Sequence, residues 1–245
     1  MSGLDLPARP WIIGHRGAAG EELENTLAAV ERALADRVDM IEVDLQLTAD
    51  KRLAVFHDDT LERLAGDRRR VGRLAWRELA AIELRQPERH ETHRIPRLED
   101  LLAAVPETVP LNLEAKIHHG RAGTFARRLL EILDGREQVL VSSFDWSFLA
   151  EIRRLSPALP LAPISHDDRD GLLAAAAELG AWSLHCHHPL ATRRLLDSPF
   201  RAGRPVLAYT VNEPRRARTL LRRGVGGIFT DQPALIHHAL DRWPV

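Results

Sequence analysis

Residues 40–59, MIEVDLQLTADKRLAVFHDD, carry two carboxylates and a histidine in a stretch that reads as an antiparallel hairpin. With a turn centred on Asp50-Lys51, Asp44 is expected opposite His57, Cβ atoms about 5 Å apart. Glu42 and Asp44 are two residues apart and share one strand face. The expectation depends on register, because a one-residue slip moves His57 to the other face. In PLNLEAKI, residues 110–117, Asn112, Glu114 and Lys116 alternate with Leu111, Leu113 and Ala115, giving one polar and one apolar face. A third group, His15-Arg16-Gly17, follows the apolar run WIIG. Buried charges need partners or a metal. Glu42, Asp44 and Glu114 offer carboxylate oxygens to one hard divalent cation, Mg2+ or Ca2+, and no thiolate that would favour zinc. With Arg16 and Lys116 beside it, such a cation makes a site for a phosphate group. His15 and His57 have intrinsic pKa values near neutrality and can serve as base and acid on opposite sides of phosphorus.

Positioning these groups requires several strands to end at one place. Short β-type runs fall at 11–15, 39–46, 110–117, 138–143, 160–165, 181–186, 205–211 and 226–230. Each precedes a helix candidate, at 24–36, 98–105, 122–134, 146–155, 169–179, 189–197, 214–223 and 233–241. Eight strand-helix pairs predict an α/β fold, the (β/α)8 TIM barrel, whose site lies at the C-terminal strand ends. Segment 52–57 is the hairpin's return arm and stands outside that count. An insertion after the second strand, at about 58–96, far exceeds the usual βα loop of roughly 2–6 residues. It holds a predicted helix at 75–83 and the run Asp67-Arg68-Arg69-Arg70, either a solvated tip or a basic rim for an anionic substrate.

The length of 245 residues matches one barrel, so residues 1–245 are read as a single domain. With 34 basic and 35 acidic residues the chain lacks the excess of a general nucleic-acid binder. One cysteine, Cys186, excludes an intrachain disulfide and favours a reducing compartment. No signal-like segment and no apolar stretch of about 18 residues is present, so a cytoplasmic protein without stable membrane association is expected, as monomer or homodimer. In His185-Cys186-His187-His188 the alternation separates Cys186 from His185 and His187, which argues against a transition-metal site and leaves His185 as a pocket-lining candidate. Asn212 and Asp231 each precede a proline by two residues and are expected to be helix N-caps.

The chain resembles the glycerophosphodiester phosphodiesterase family, closest to its small cytoplasmic bacterial branch. The resemblance rests on His15-Arg16-Gly17, Glu24-Asn25-Thr26, Ile41 to Thr48, Phe56-His57-Asp58-Asp59, Ile95 to Glu99, Asn112 to Lys116, Ser142-Ser143-Phe144, Tyr209 to Asn212 and Gly227 to Asp231. It implies metal ligation by Glu42, Asp44 and Glu114, base and acid roles for His15 and His57, phosphate contacts from Arg16 and Lys116, and Tyr209 and His185 near the substrate. The implied substrate is a small glycerophosphodiester, cleaved to sn-glycerol 3-phosphate and an alcohol. The expected course is attack by the substrate's own 2-hydroxyl, followed by opening of the cyclic phosphate by water. Leu23, Lys51 and Tyr209 depart from the common family residues, and residues 84–94 lack the usual aromatics. The alternatives are a lysophospholipase D acting on monoacyl lipids, which needs an apolar groove near the insertion, and a catalytically silent phosphodiester-binding barrel.

Overall fold

The computed structural model describes residue 4 and residues 9–85, 91–118 and 120–241; His119 and residues 86–90 of the insertion lie outside it. Eight parallel strands close a barrel: β1 (Trp11–Gly14), β2 (Met40–Leu47), β6 (Leu111–Ala115), β7 (Val139–Ser143), β8 (Leu161–Ser165), β9 (Leu184–His187), β10 (Val206–Tyr209) and β11 (Gly227–Thr230). The ring is completed by β1 pairing with both β2 and β11. β3 (Leu53–Val55) adds to β2 antiparallel, outside the ring, and β4 (Glu83–Leu84) and β5 (His93–Arg94) form a two-residue ladder in the insertion.

Strand alternation divides the barrel into an outer and an inner set. Ile41, Val43 and Leu45 of β2, with Leu111, Leu113 and Ala115 of β6, face the helical layer and are buried there. The inner set changes along the axis. Leu4, Trp11, Ile13, Met40, Leu140 and Phe229 belong to an apolar cluster that packs the lower barrel. Glu42, Asp44, Asn112, Ser142 and His185, also buried, occupy positions nearer the carboxyl ends. Hydrophobic burial therefore fixes the ring, and the mouth is left to polar groups.

Most expected helices form, with α1 at Leu27–Ala35, α4 at Leu98–Ala104, α5 at Ala122–Ile132, α6 at Trp146–Leu155, α7 at Arg169–Glu178, α9 at Pro214–Arg222 and α10 at Pro233–Asp241. Asp145 caps α6, accepting from Phe148 N at 3.0 Å. The helix expected at 189–197 is broken into a 3-10 turn, His188–Leu190, and a single turn, α8 (Arg193–Leu196). Pro189 sets that turn and supplies no amide hydrogen to a longer helix. In the insertion, α2 is Glu62–Ala65 and α3 covers only Trp76–Leu79 of the predicted 75–83. The arginine run is a solvated tip: Arg68 meets Glu62 at 3.0 Å, Arg69 meets Asp67 at 2.7 Å and Arg70 meets Asp59 at 3.0 Å.

The hairpin register is not the expected one. Leu45 pairs with Val55, Gln46 with Ala54 and Leu47 with Leu53, so Asp44 lies across from Phe56 and not from His57. The turn runs from Thr48 to Arg52, with Lys51 at φ +63°, an odd-numbered loop that shifts the pairing by one. Phe56, only 1% exposed, instead anchors a separate core with Leu23, Leu61, Leu64 and Leu79 that docks the insertion on the hairpin. Truncation of Phe56 to alanine is expected to cost about 3–5 kcal/mol. Urea unfolding would measure it, and a loss below about 1 kcal/mol would mean that the insertion does not depend on this core.

Candidate active site

The site starts where β1 runs out. Arg16 has φ +54° and Gly17 φ +82°. This left-handed turn folds the chain back on α1, where a Cβ on Gly17 would fall 2.5 Å from the Ala29 carbonyl carbon, so only glycine fits. The turn directs Arg16 N onto Glu42 Oε2 at 2.8 Å and Gly17 N onto the Glu42 carbonyl at 3.1 Å.

β2 and β6 pair in register, Glu42 beside Asn112 and Asp44 beside Glu114. Glu42, Asp44 and Glu114 each offer one oxygen, and these three atoms lie within 4.8 Å of one another. Asp44 is the most supported of the three. Lys116 Nζ stands 3.0 Å from Oδ1 and Arg16 Nε 3.2 Å from Oδ2, while Asn25 donates Nδ2 to Oδ2 at 2.8 Å and accepts the Asp44 amide at 3.0 Å. Burial alone would raise the Asp44 pKa, but Lys116 and Arg16 drive it well below the usual carboxylate range. Lys116 also pairs with Glu114. Glu42 receives less support: burial, then the Asp44 charge, push its pKa up to about 8, and its Oε1 is buried without a hydrogen-bond partner. An all-oxygen trio with an orphaned buried atom and mutual repulsion fits a hard divalent cation.

Both histidines line the same cavity as Glu42 and Glu114, and each is braced at Nδ1 by a carboxylate. His15 Nδ1 meets Asp231 Oδ1 at 2.6 Å, and His57 Nδ1 meets Asp58 Oδ1 at 2.7 Å. Burial opposes charge on His15, yet Asp231 and Glu42 together raise its pKa. Burial dominates at His57, with Lys116 and Arg16 adding to it, and lowers its pKa despite Asp44. His57 reaches the cavity from beyond the β3 ladder, where Gln46 Nε2 donates to the carbonyls of Phe56 at 3.0 Å and Asp58 at 2.6 Å.

Asp231 and Asn212 are not the helix caps expected of them. Asn212 donates Nδ2 to Asp231 Oδ2 at 2.5 Å and accepts Asp231 N at 2.8 Å, fixing the carboxylate on His15. The N-cap position of α9 is held by Glu213, whose side chain makes no capping hydrogen bond. Spacing alone gives Asp58, Asn25 and Glu24 no role and Asp231 only a capping one, since their partners are brought together by the fold. For Asp58, adjacency to His57 was the available signal.

The far wall of the cavity comes from later strands. Tyr209 and His185 both line it, the Tyr209 hydroxyl donating to the Ser165 carbonyl at 3.0 Å. His185 is buried against Ser183 Oγ at 3.0 Å from Nε2, and burial pulls its pKa down to about 3, so its ring is neutral. His166 and His187 stack with centroids 4.0 Å apart, and Phe144 meets Tyr209 edge-on at 6.2 Å.

A (β/α)8 barrel with clustered acids, two braced histidines and fixed cations at its carboxyl end defines a hydrolase class acting on phosphate esters. The model of the Glycerophosphoryl diester phosphodiesterase family matches residues 15–235, and the chain belongs to that family. It is 32% identical to the glycerophosphodiester phosphodiesterase of Bacillus altitudinis, covering 91% of this chain and 94% of that protein. To the enzyme of the same name from Caldanaerobacter subterraneus it is 27% identical, over 91% of this chain and 94% of the other. Among solved structures, an Oleispira antarctica phosphodiesterase in complex with the product sn-glycerol-3-phosphate superposes with a TM-score of 0.87 at 25% identity, covering 95% and 97% of the two chains.

Because Glu42 must lose its proton to ligate, cation binding should release protons near neutral pH. Below pH 8 the carboxyl is protonated without the cation, so affinity is expected to fall up to roughly tenfold per pH unit. Titration calorimetry with Mg2+ or Ca2+ in buffers of different ionisation enthalpy reads both effects. Affinity independent of pH between 6 and 8, with no proton release, would contradict this assignment.

Proposed function

We propose that this protein hydrolyses small glycerophosphodiesters to sn-glycerol 3-phosphate and a free alcohol, as a cytoplasmic enzyme, with Glu42, Asp44 and Glu114 holding one Mg2+ or Ca2+. What carries the reading is the meeting of the three-acid cluster, two Nδ1-braced histidines and the Arg16 and Lys116 cations around one cavity that Glu42 and Glu114 line, in a chain of the Glycerophosphoryl diester phosphodiesterase family. When bound, the cation supplies Lewis-acid stabilisation of charge on the phosphoryl oxygens.

The remaining chemistry belongs to this chain's side chains. Arg16 and Lys116 hold the phosphate in place and oppose the charge that grows on it. His57, with its lowered pKa, is neutral and takes the proton from the glycerol 2-hydroxyl as its oxygen bonds phosphorus. His15, with its raised pKa, carries the proton that the departing alkoxide receives. This order is the reverse of the one the resemblance implied. The cycle closes when water bonds phosphorus and the bond to O2 breaks, His15 accepting the water proton and His57 returning its own to O2. The alcohol rests against Tyr209 and the neutral His185, beside the aromatic wall.

Neither alternative is favoured by the site. The cleft on the insertion is mixed, with Leu64 and Ile82 among the charged groups Glu62, Arg63, Asp67, Glu83 and Arg85, and is not the apolar groove a monoacyl chain needs. A silent binding barrel has no use for two braced histidines.

Release of glycerol 3-phosphate from glycerophosphocholine is expected with Mg2+ or Ca2+, abolished by EDTA and reduced by His15→Ala about 100-fold or more. No cation-dependent release from any soluble headgroup would sink the assignment. A 2-deoxyglycerol analogue should be inert; turnover at the normal rate would eliminate the internal nucleophile while leaving the hydrolase reading intact.

A further inference from the structure

Arg63 lies on α2 in the insertion, outside the catalytic cavity, and its guanidinium meets two acids that each support a site residue. Nη1 and Nη2 clamp Glu24 through Oε2 at 2.7 Å and Oε1 at 2.6 Å, while Nε donates to Asp58 Oδ2 at 2.7 Å. Glu24 Oε1 also accepts from Arg16 Nη1 at 2.8 Å, and Asp58 Oδ1 holds His57 Nδ1 at 2.7 Å. One planar fork therefore joins the phosphate-side arginine, which follows β1, to the histidine that follows β3.

We propose that Arg63 is a positioning residue for the reaction, a strut by which the insertion fixes the tautomer and orientation of His57 relative to Arg16. The proposal rests on the hydrolase reading above and assigns the insertion a role in it. Its physical basis is the occupancy of each oxygen. Asp58 has one oxygen on Arg63 and the other on His57, so rotation of its carboxylate breaks one hydrogen bond or the other. An ionised carboxylate only accepts, so the hydrogen at His57 lies on Nδ1 and Nε2 is left for the substrate. Arg63 keeps that carboxylate ionised and aimed. Without it, Asp58 is free to turn to solvent and His57 loses both its fixed tautomer and its orientation. Lysine cannot substitute fully, because a point charge lacks the fork that spans Glu24 and Asp58 together.

The Arg63 side chain is 46% exposed and lies on the edge of the insertion core, so Arg63→Ala should leave the fold intact. Removal of such an outer partner is expected to lower kcat on glycerophosphocholine about 10- to 100-fold with KM changed less than about threefold. Arg63→Lys should recover part of the loss. The direct readout is the long-range 1H–15N spectrum of the His57 ring, assigned with His57→Ala. The Nδ1-H tautomer should dominate in the parent and give way to a mixture in Arg63→Ala. A second readout is the double variant: adding Arg63→Ala to Asp58→Asn should cost less than about threefold more in kcat, since the effect of Arg63 on His57 passes through the Asp58 carboxylate. An unchanged His57 spectrum, an unchanged kcat, or fully multiplicative losses would overturn the strut. The spectrum needs no substrate, so failure of the strut is distinguishable from failure of the hydrolase reading.

Discussion

Three carboxylates crowded into the mouth of a barrel set the constraint on which the rest of the structure depends. At an effective dielectric of about 20, unit charges near 4 Å apart interact by roughly 4 kcal/mol, comparable with a large share of a domain's net stability. Asp44 is stabilised by two side-chain cations and an asparagine, whereas Glu42 is left with a raised pKa and an unpartnered oxygen. The surroundings thus over-support one acid and under-support another, an imbalance that a divalent cation relieves. Arg16 and Lys116 have two duties under this constraint. They neutralise the acids, and they add to the burial that lowers the pKa of His57.

The barrel tolerates this concentration of charge because its lower half is apolar. Trp11, Ile13, Met40 and Phe229 belong to the cluster that fills the interior below the acids, and the outer faces of the same strands pack on helices. Cys186 shows the division within one strand: it is buried toward the helical layer, with its thiol pKa pushed up to about 12, while His185 beside it lines the cavity. The insertion joins this scheme by a core of its own. Phe56 and Leu61 carry the packing, and Arg63 reaches from that platform to Glu24 and Asp58.

Alternation and composition made the ring, its direction and the metal-type acids legible. Glu42 with Asp44, and Glu114 with Lys116, are two apart, so local strand geometry fixes their faces whatever the rest of the chain does. The hairpin register was not legible, because it depends on the loop backbone. Lys51 adopts a positive φ within an odd-numbered turn, and His57 enters the cavity by an irregular path held by Gln46. Asp231 and Asn212 show the limit from another side. Both sit two residues before proline, a spacing that favours capping, and the competing demand of His15 prevails because closure of β1 onto β11 brings that ring within 2.6 Å.

By itself, then, the sequence determined an eight-stranded barrel and the shared strand faces of Glu42 with Asp44 and of Glu114 with Lys116, since each follows from short-range periodicity. Only the tertiary structure decided which nitrogen of each histidine is held and which acid is left under-supported. It also decided that Arg63, from the insertion, braces both Glu24 and Asp58. Those properties belong to groups far apart in the chain, from Arg16 to Asp231, and they arise only when barrel closure brings such groups within hydrogen-bond distance.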